Sequence, residues 1–472
     1  HVSDSIIGSL AICTTNFNDG RLAAGVSRQI SHDFADMLLT GVQRDLTATY
    51  GKWTRRYLWD RNYSETRKPE VPSAIIETLS HQNFADMRRA LDPNFRFTLA
   101  RSLYKTILRY VNGNHSLACV VQPLPVSNFR IVRTADNQLQ LSWLPVTDRL
   151  EPSAVPTTYN IYIAEGKNGF DNGRSVSSTS FTFTPKPNVV YQFRVTAVNR
   201  GGESFPSTTL AACVSAQAGA RDVLVVDGFT RFAGPAVVDD GTRQGFDLDA
   251  DMGVSLGINA GFVGRQIDFD RTRVGSEGPG ALGYCEDEFA GKFFMGKQQN
   301  ESVCHVADIA LSGAYNVVSS SIEAVENGFV KLENYRVVDI MFGLQKDDGY
   351  SLVRYKTFSA LLRKALESYV RGNGRVFVSG AYVASDMQLD AERSFMSNLF
   401  KVGFGGQNTN IATNLVDGLG ISFDIIRRPN DRHYAAQSVD VVSPLAPAFC
   451  AMRYADGTDA AVAYDGIDHK AF

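Results

Sequence analysis

Between Val126 and Ala216 the apolar residues alternate with polar ones, and this period of two constrains the chain more than any single motif. Leu139, Leu141 and Trp143 alternate along one run. Tyr159, Ile161 and Ile163 follow, then Phe181 and Phe183, then Tyr191, Phe193, Val195 and Ala197. Residues two apart share one face of a strand, so short alternating runs at regular intervals predict an all-β sandwich over 122–216. The proline-bearing segment Val121-Gln122-Pro123-Leu124-Pro125 is the linker that opens it.

The flanks follow other periods. Residues 6–15 (IIGSLAICTT) read as a buried strand. Asn18-Asp19-Gly20 reads as a turn and helix cap, and Leu22, Val26, Ile30, Phe34, Met37, Leu38 and Val42 as one stripe of a helix from Arg21 to about Leu46. Val71 to Glu77 is a short apolar strand, and Asp92-Pro93 opens a helix over 94–111 packed through Phe97, Leu99, Ala100, Leu103, Ile107 and Leu108. Beyond the sandwich, Arg221–Gly228, Tyr335–Phe342 and Arg375–Ser379 are apolar runs with a helix over 358–371 between the last two. Apolar strands separated by helices predict a mostly parallel sheet. Three units are therefore expected: an α/β portion over 1–118, the sandwich over 122–216 and an α/β three-layer unit over 220–472.

A length of 472 residues agrees with about three cores, and 44% hydrophobic with 21% charged residues is a globular composition. A net charge of −3 gives no reason to expect capture of nucleic acid or of an anionic membrane. The six cysteines contain no C-x-x-C pair, which argues against a zinc ribbon. Cys285 and Cys304 could pair in an oxidising compartment, with buried free thiols as the other reading. The first residues are not expected to be a signal peptide, and no apolar run reads as long enough to span a bilayer. The chain is expected to start inside a domain and to stop before a last strand.

The ordered set Pro72, Glu77-Thr78, Asn83, Asp92-Pro93 and Leu99–Val111 resembles the C-terminal part of zinc-dependent N-acetylmuramoyl-L-alanine amidases of the amidase-3 type. The match covers roughly the first 112 residues. It implies that Glu77 is the carboxylate that takes a proton from zinc-bound water and passes it to the leaving amine. A structural alternative is a Glu77 paired with Arg55, Arg56 or Arg61. Asn83 is expected to fix the loop, and His81, where the family has a Gly-Phe-hydrophobic-Ser run, to be solvated.

The family's zinc is held by His, Glu and His on earlier strands. His1, in His1-Val2-Ser3-Asp4, stands either at the second His or as a tag residue, and the other ligands have no candidate here. Zinc is therefore expected in an intact parent and not in this chain. The substrate so implied is peptidoglycan and the location extracellular, periplasmic or cell-surface.

The sandwich is similar to fibronectin type III modules: Trp143 is the core tryptophan, Tyr159–Tyr162 the "Y-x-V-Y" strand, and Tyr191–Asn199 with Gly201–Ser204 the closing pattern. A spacer or binding module is implied, without chemistry. The third unit resembles flavodoxin-like or class I amidotransferase-like folds, with Asp227, Gly228, Asp339, Gly343, Ser379 and Gly380 at expected strand ends. Ser379 lies in V-S-G-A rather than G-x-S-x-G, so a turn serine is expected over a nucleophile served by His433. Neither Gly264-Arg265-Gln266 nor Gly403–Gln407 carries a phosphate-loop lysine. Chains of this make-up resemble secreted bacterial proteins called amidase or xanthan lyase. The function expected is that of a fragment of a wall hydrolase cleaving the muramoyl–alanine amide, with a polysaccharide lyase or a non-catalytic wall-binding protein as alternatives.

Overall fold

The computed structural model describes residues 5–241, 243–260, 265–266, 269 and 271–472. In the first unit, β1 (Ser9–Cys13) is the centre of a three-stranded sheet. It pairs in parallel with β2 (Arg55–Asp60) and antiparallel with β3 (Ile75–Glu77). Helix α1 (Gln29–Tyr50) covers one face, with Ala35 and Leu39 against Ala11, Cys13 and Ile76. Helices α2 (Phe84–Ala90) and α3 (Pro93–Asn114) follow, and Asp92 caps α3 by accepting from the Asn94 amide at 2.9 Å.

Two stretches depart from the sequence reading. Helix α1 starts eight residues later than Arg21, because residues 21–28 form a tight loop: Arg21 bridges Ser27, Gly25 sits at φ +77°, and buried Arg28 donates Nε to the Arg21 carbonyl. Val26 and Met37, placed on the packing stripe, are exposed. On α3 the buried residues are Phe95, Ser102, Lys105 and Thr106, whereas Phe97 and Ile107 face solvent. The cause is a close helix crossing: a Cβ on Gly41 would lie 2.3 Å from Thr106 Oγ1, so only small and polar residues fit the α3 face there.

The sandwich comprises β4 (Ser127–Arg133), β5 (Leu139–Leu144), β6 (Thr158–Glu165), β7 (Arg174–Val176), β8 (Ser180–Phe183), β9 (Val190–Asn199), β10 (Gly202–Glu203) and β11 (Leu210–Cys213). Trp143, Ile161, Phe193 and Val195 are buried at its centre. The third unit is built on β12 (Arg221–Asp227), β13 (Tyr315–Ser321), β14 (Val337–Gly343), β15 (Arg375–Gly380) and the short β16 (Lys470–Ala471), all parallel. Their order across the sheet is β13-β12-β14-β15-β16. Helix α4 (Glu301–Ala310) packs over β11, β12 and β13, and α6 (Ala360–Arg371), after the short α5 (Ile322–Glu326), begins at Ser359, whose Oγ accepts the Leu362 amide. The unit carries more β-structure than three layers require. Val402–Asn408 pairs antiparallel with Val439–Pro444, so the glycine-rich 403–407 run is a bulged strand and not a phosphate loop. Gly264 lies outside the described residues.

The units are joined by more than linkers. β11 and β4 each bridge β13, at Cys213–Val317 and Arg130–Ser320, so both of these sandwich strands continue into the parallel sheet. Arg101 contacts Asp148 at 2.9 Å, Arg109 contacts Glu151, and Phe84 of α2 packs against Phe246 and Phe269. A module whose edge strands are so engaged is a fixed part of one scaffold. Exposure predicts uneven stability: β2 and β3 hold no buried residue, whereas six of the ten residues of β9 are buried. Backbone amides of 55–60 and 75–77 are expected to exchange about tenfold or more faster than those of 191–197, measured by native-state hydrogen exchange. Uniform protection across these strands would contradict it.

Candidate functional site

Glu77 is the last residue of β3 and pairs with Leu10. Residues in register share a face, and Ala11 and Ile76 face α1, so Glu77 projects from the opposite face together with Ile75, Tyr57 and Trp59. The side chain is exposed. Among the described residues it makes no hydrogen bond or ion pair. The arginines that could have engaged it are placed elsewhere: Arg55 binds Asp36 and Thr40, Arg61 lies over the Trp59 ring at 5.6 Å, and Arg56 bears on Asp86. One expectation is corrected. Because β3 runs antiparallel, its end lies beside the start of β1, so the crevice rule for the ends of parallel strands does not place Glu77.

The backbone that follows is fixed by buried polar groups. Asp86 accepts from the amides of Ile7 (2.8 Å), Gly8 (3.2 Å) and Ser80 (2.9 Å), tying the loop after Glu77 to the chain before β1. Burial raises the Asp86 pKa above the ordinary carboxylate range and outweighs the three amides and Arg56. Asn83, fully buried, caps α2 by accepting from the Asp86 amide at 3.0 Å, which is a loop-fixing role. Ser9 Oγ donates to the Thr78 carbonyl at 2.6 Å and accepts from Trp53 Nε1 at 3.0 Å. Gly8, at φ +81°, is required: a Cβ there would fall 2.0 Å from the Thr54 carbonyl oxygen. His81 is exposed.

His1 lies outside the described residues. Among the described residues no three His, Cys, Asp or Glu side chains gather as a metal-binding group. Cys13 and Cys213 are buried, Cys119, Cys285 and Cys450 half-buried, and Cys304 exposed, so the buried-thiol reading holds for the first two only.

A second polar cluster was not foreseen. His305 on α4 bonds through Nδ1 to Asp339 Oδ2 at 2.7 Å, with Asp339 buried mid-strand in β14. Burial pushes the imidazole towards neutrality, but the Asp339 hydrogen bond and charge, with Asp308 and Asp227, raise its pKa overall. Burial also raises Glu301, and pushes the Tyr434 phenol, which faces Glu301, Cys304 and Asp227, up to about 12. The sequence signal was one acid in the apolar run YRVVDIMF. The bond to Asp339 holds the His305 ring in one orientation. Ser379 pairs with Met341 inside the sheet and His433 is exposed, with no hydrogen bond joining them. The strand-end glycines serve packing: a Cβ on Gly228 would meet the Phe342 ring at 2.8 Å, and one on Gly343 the Phe229 ring at 2.7 Å.

Among known proteins, the family model for the fibronectin type III domain matches residues 124–212. Solved structures similar to this chain include a human fourth fibronectin type III domain (23% identity, 22% of this chain and 87% of that one, TM-score 0.19). The twitchin kinase region of C. elegans matches at 26% identity over 20% of this chain and 17% of its own (TM-score 0.18). The chicken contactin FN1–FN3 segment does so at 20% over 21% and 34% (TM-score 0.18). No curated protein matches. The buried Trp143, the β6–β9 pairing and the family match agree: residues 124–212 are a fibronectin type III domain.

Proposed function

We propose that this chain is part of a peptidoglycan amidase of the cell surface or periplasm, with Glu77 as its proton-transferring carboxylate. The observation that carries this reading is the placement of Glu77: a strand-end carboxylate, exposed, unbonded among the described residues, on a backbone locked by Asp86 and Asn83. A carboxylate so held is available to accept a proton from water and to hand it to a departing amine. Zinc, in the resembled family, supplies the activated water, and no step is assigned to it here because its ligands are not gathered among the described residues. The chain by itself is therefore expected to bind the wall without cleaving it. For the third unit, the order second-first-third-fourth-fifth across the parallel sheet supports the flavodoxin-type reading.

Purified peptidoglycan separates the alternatives. The chain should co-sediment with it and release no free amine with or without added zinc. Amine release abolished by Glu77→Gln would overturn the non-cleaving part and uphold the amidase assignment. An unsaturated, ultraviolet-absorbing sugar product from polysaccharide would replace the reading with a lyase, and failure to sediment would remove the wall as partner.

A further inference from the structure

A groove of about 460 Å³ opens between the sandwich and the N-terminal ends of the parallel strands, a volume suited to a small-molecule ligand. Arg133 of β4 forms one wall, Arg221 and Asp222 the start of β12, Arg336 the approach to β14, and Asn373 the turn after α6. The charges do not cancel inside it. Asp222 is fully engaged: Arg133 donates Nε and Nη2 to its two oxygens at 2.9 and 3.0 Å, and Asn316 donates at 2.8 Å. Arg221 and Arg336 form no ion pair or side-chain hydrogen bond among the described residues, and Arg336 Nε is buried without a partner. With exposed Glu333 on the same lining, three guanidinium groups face two carboxylates, and one positive charge is left in excess.

The remaining surface narrows the chemistry. Tyr335 and Tyr369 are buried beneath the groove, and the Tyr369 hydroxyl is already bonded to the Tyr335 carbonyl (3.1 Å) and the Arg375 amide (3.2 Å). Exposed Asn334 and Asn373 at the rim supply donors and acceptors of the kind that hydroxyls require. Planar guanidinium groups pair bidentately with carboxylates. We propose that this groove is a binding site for a carboxylated saccharide, a sugar ring whose acid group is held by Arg221 and Arg336.

Isothermal titration of the full chain with D-glucuronate, D-glucose and inorganic phosphate tests this independently of Glu77. Glucuronate should bind and glucose should not. Raising the salt, Arg221→Gln and Arg336→Gln should each weaken glucuronate by about tenfold. Arg221 is exposed, so its variant keeps the test valid should Arg336→Gln fail to fold, which a thermal melt reports. Equal binding of glucose and glucuronate, unchanged affinity in the Arg221 variant, no heat with glucuronate, or binding of phosphate alone would each overturn the assignment.

Discussion

Arg231→Met is expected to destabilise the third unit by about 3–5 kcal/mol, the cost of stranding a buried charge. Arg231 is fully buried just beyond β12 and donates Nη2 to Asp251 Oδ2 at 2.6 Å and Nη1 to the Leu344 carbonyl at 3.2 Å. Lys346 Nζ reaches the same Asp251 oxygen at 2.8 Å, and Gln345 Oε1 accepts the amides of Thr230 and Arg231. Burial by itself would raise the Asp251 pKa; the charges of Arg231 and Lys346 overcome it and hold the carboxyl far below its ordinary range. With the guanidinium gone, Asp251 keeps a partly exposed lysine as its one charged partner in the triad, beside the Gly253 amide on its other oxygen. Urea denaturation of the full chain should show the loss in its earliest transition. Adding Asp251→Leu to Arg231→Met should recover most of it, because no charge is then stranded. A single variant within about 1 kcal/mol of the parent chain would mean that the triad contributes little.

That triad also bears on function. In a doubly wound sheet the gap between the strands on either side of the order reversal is where ligands bind. Here that gap, between the ends of β12 and β14, is filled by Phe229, Arg231, Gln345 and Asp251. An excess of positive charge lies instead at the opposite end of the strands, in the arginine groove.

Legibility from sequence followed the range of the interactions. The sandwich was readable because alternation is local: Leu139, Leu141 and Trp143 of β5, Tyr159, Ile161 and Ile163 of β6 and Tyr191, Phe193, Val195 and Ala197 of β9 are buried two apart. Strand ends such as Asp227 and Gly380 were readable for the same reason. The α3 packing face was not, since Phe97 and Ile107 look like core by spacing, whereas the close approach to α1 at Gly41 is made by Ser102 and Thr106. Glu77 could be singled out, and its strand placed, but the antiparallel sense of β3 depends on a long-range pairing that periodicity does not encode. His305 and Asp339 stand 34 residues apart and meet only through the packing of α4 on the sheet. The arginine groove is assembled from four segments and two units, so no window of sequence contains it.

The same α1–α3 crossing yields the second large effect. Lys105 and Asp45, each 1% exposed, pair at 2.8 Å between the two helices, and Arg44 adds a bond to Asp45 at 2.9 Å from the exposed side. Lys105→Met should cost about 3–5 kcal/mol, because the aliphatic stem is replaced while Asp45 stays buried beside one mostly solvated arginine. Burial opposes ionisation of Asp45, but the hydrogen bonds and charges of Lys105 and Arg44 win, and its pKa falls below the ordinary value. A carboxyl with a depressed folded pKa adds stability that is present above its unfolded pKa, about 3.9, and that disappears as pH drops through the folded value. The parent chain should therefore lose α1–α3 stability on acidification below about pH 4, and Lys105→Met should lose less over that interval, having less depression to forfeit. Thermal melts followed by helical circular dichroism between pH 3 and 7 measure both slopes; parallel slopes would show that Lys105 does not set the Asp45 ionisation.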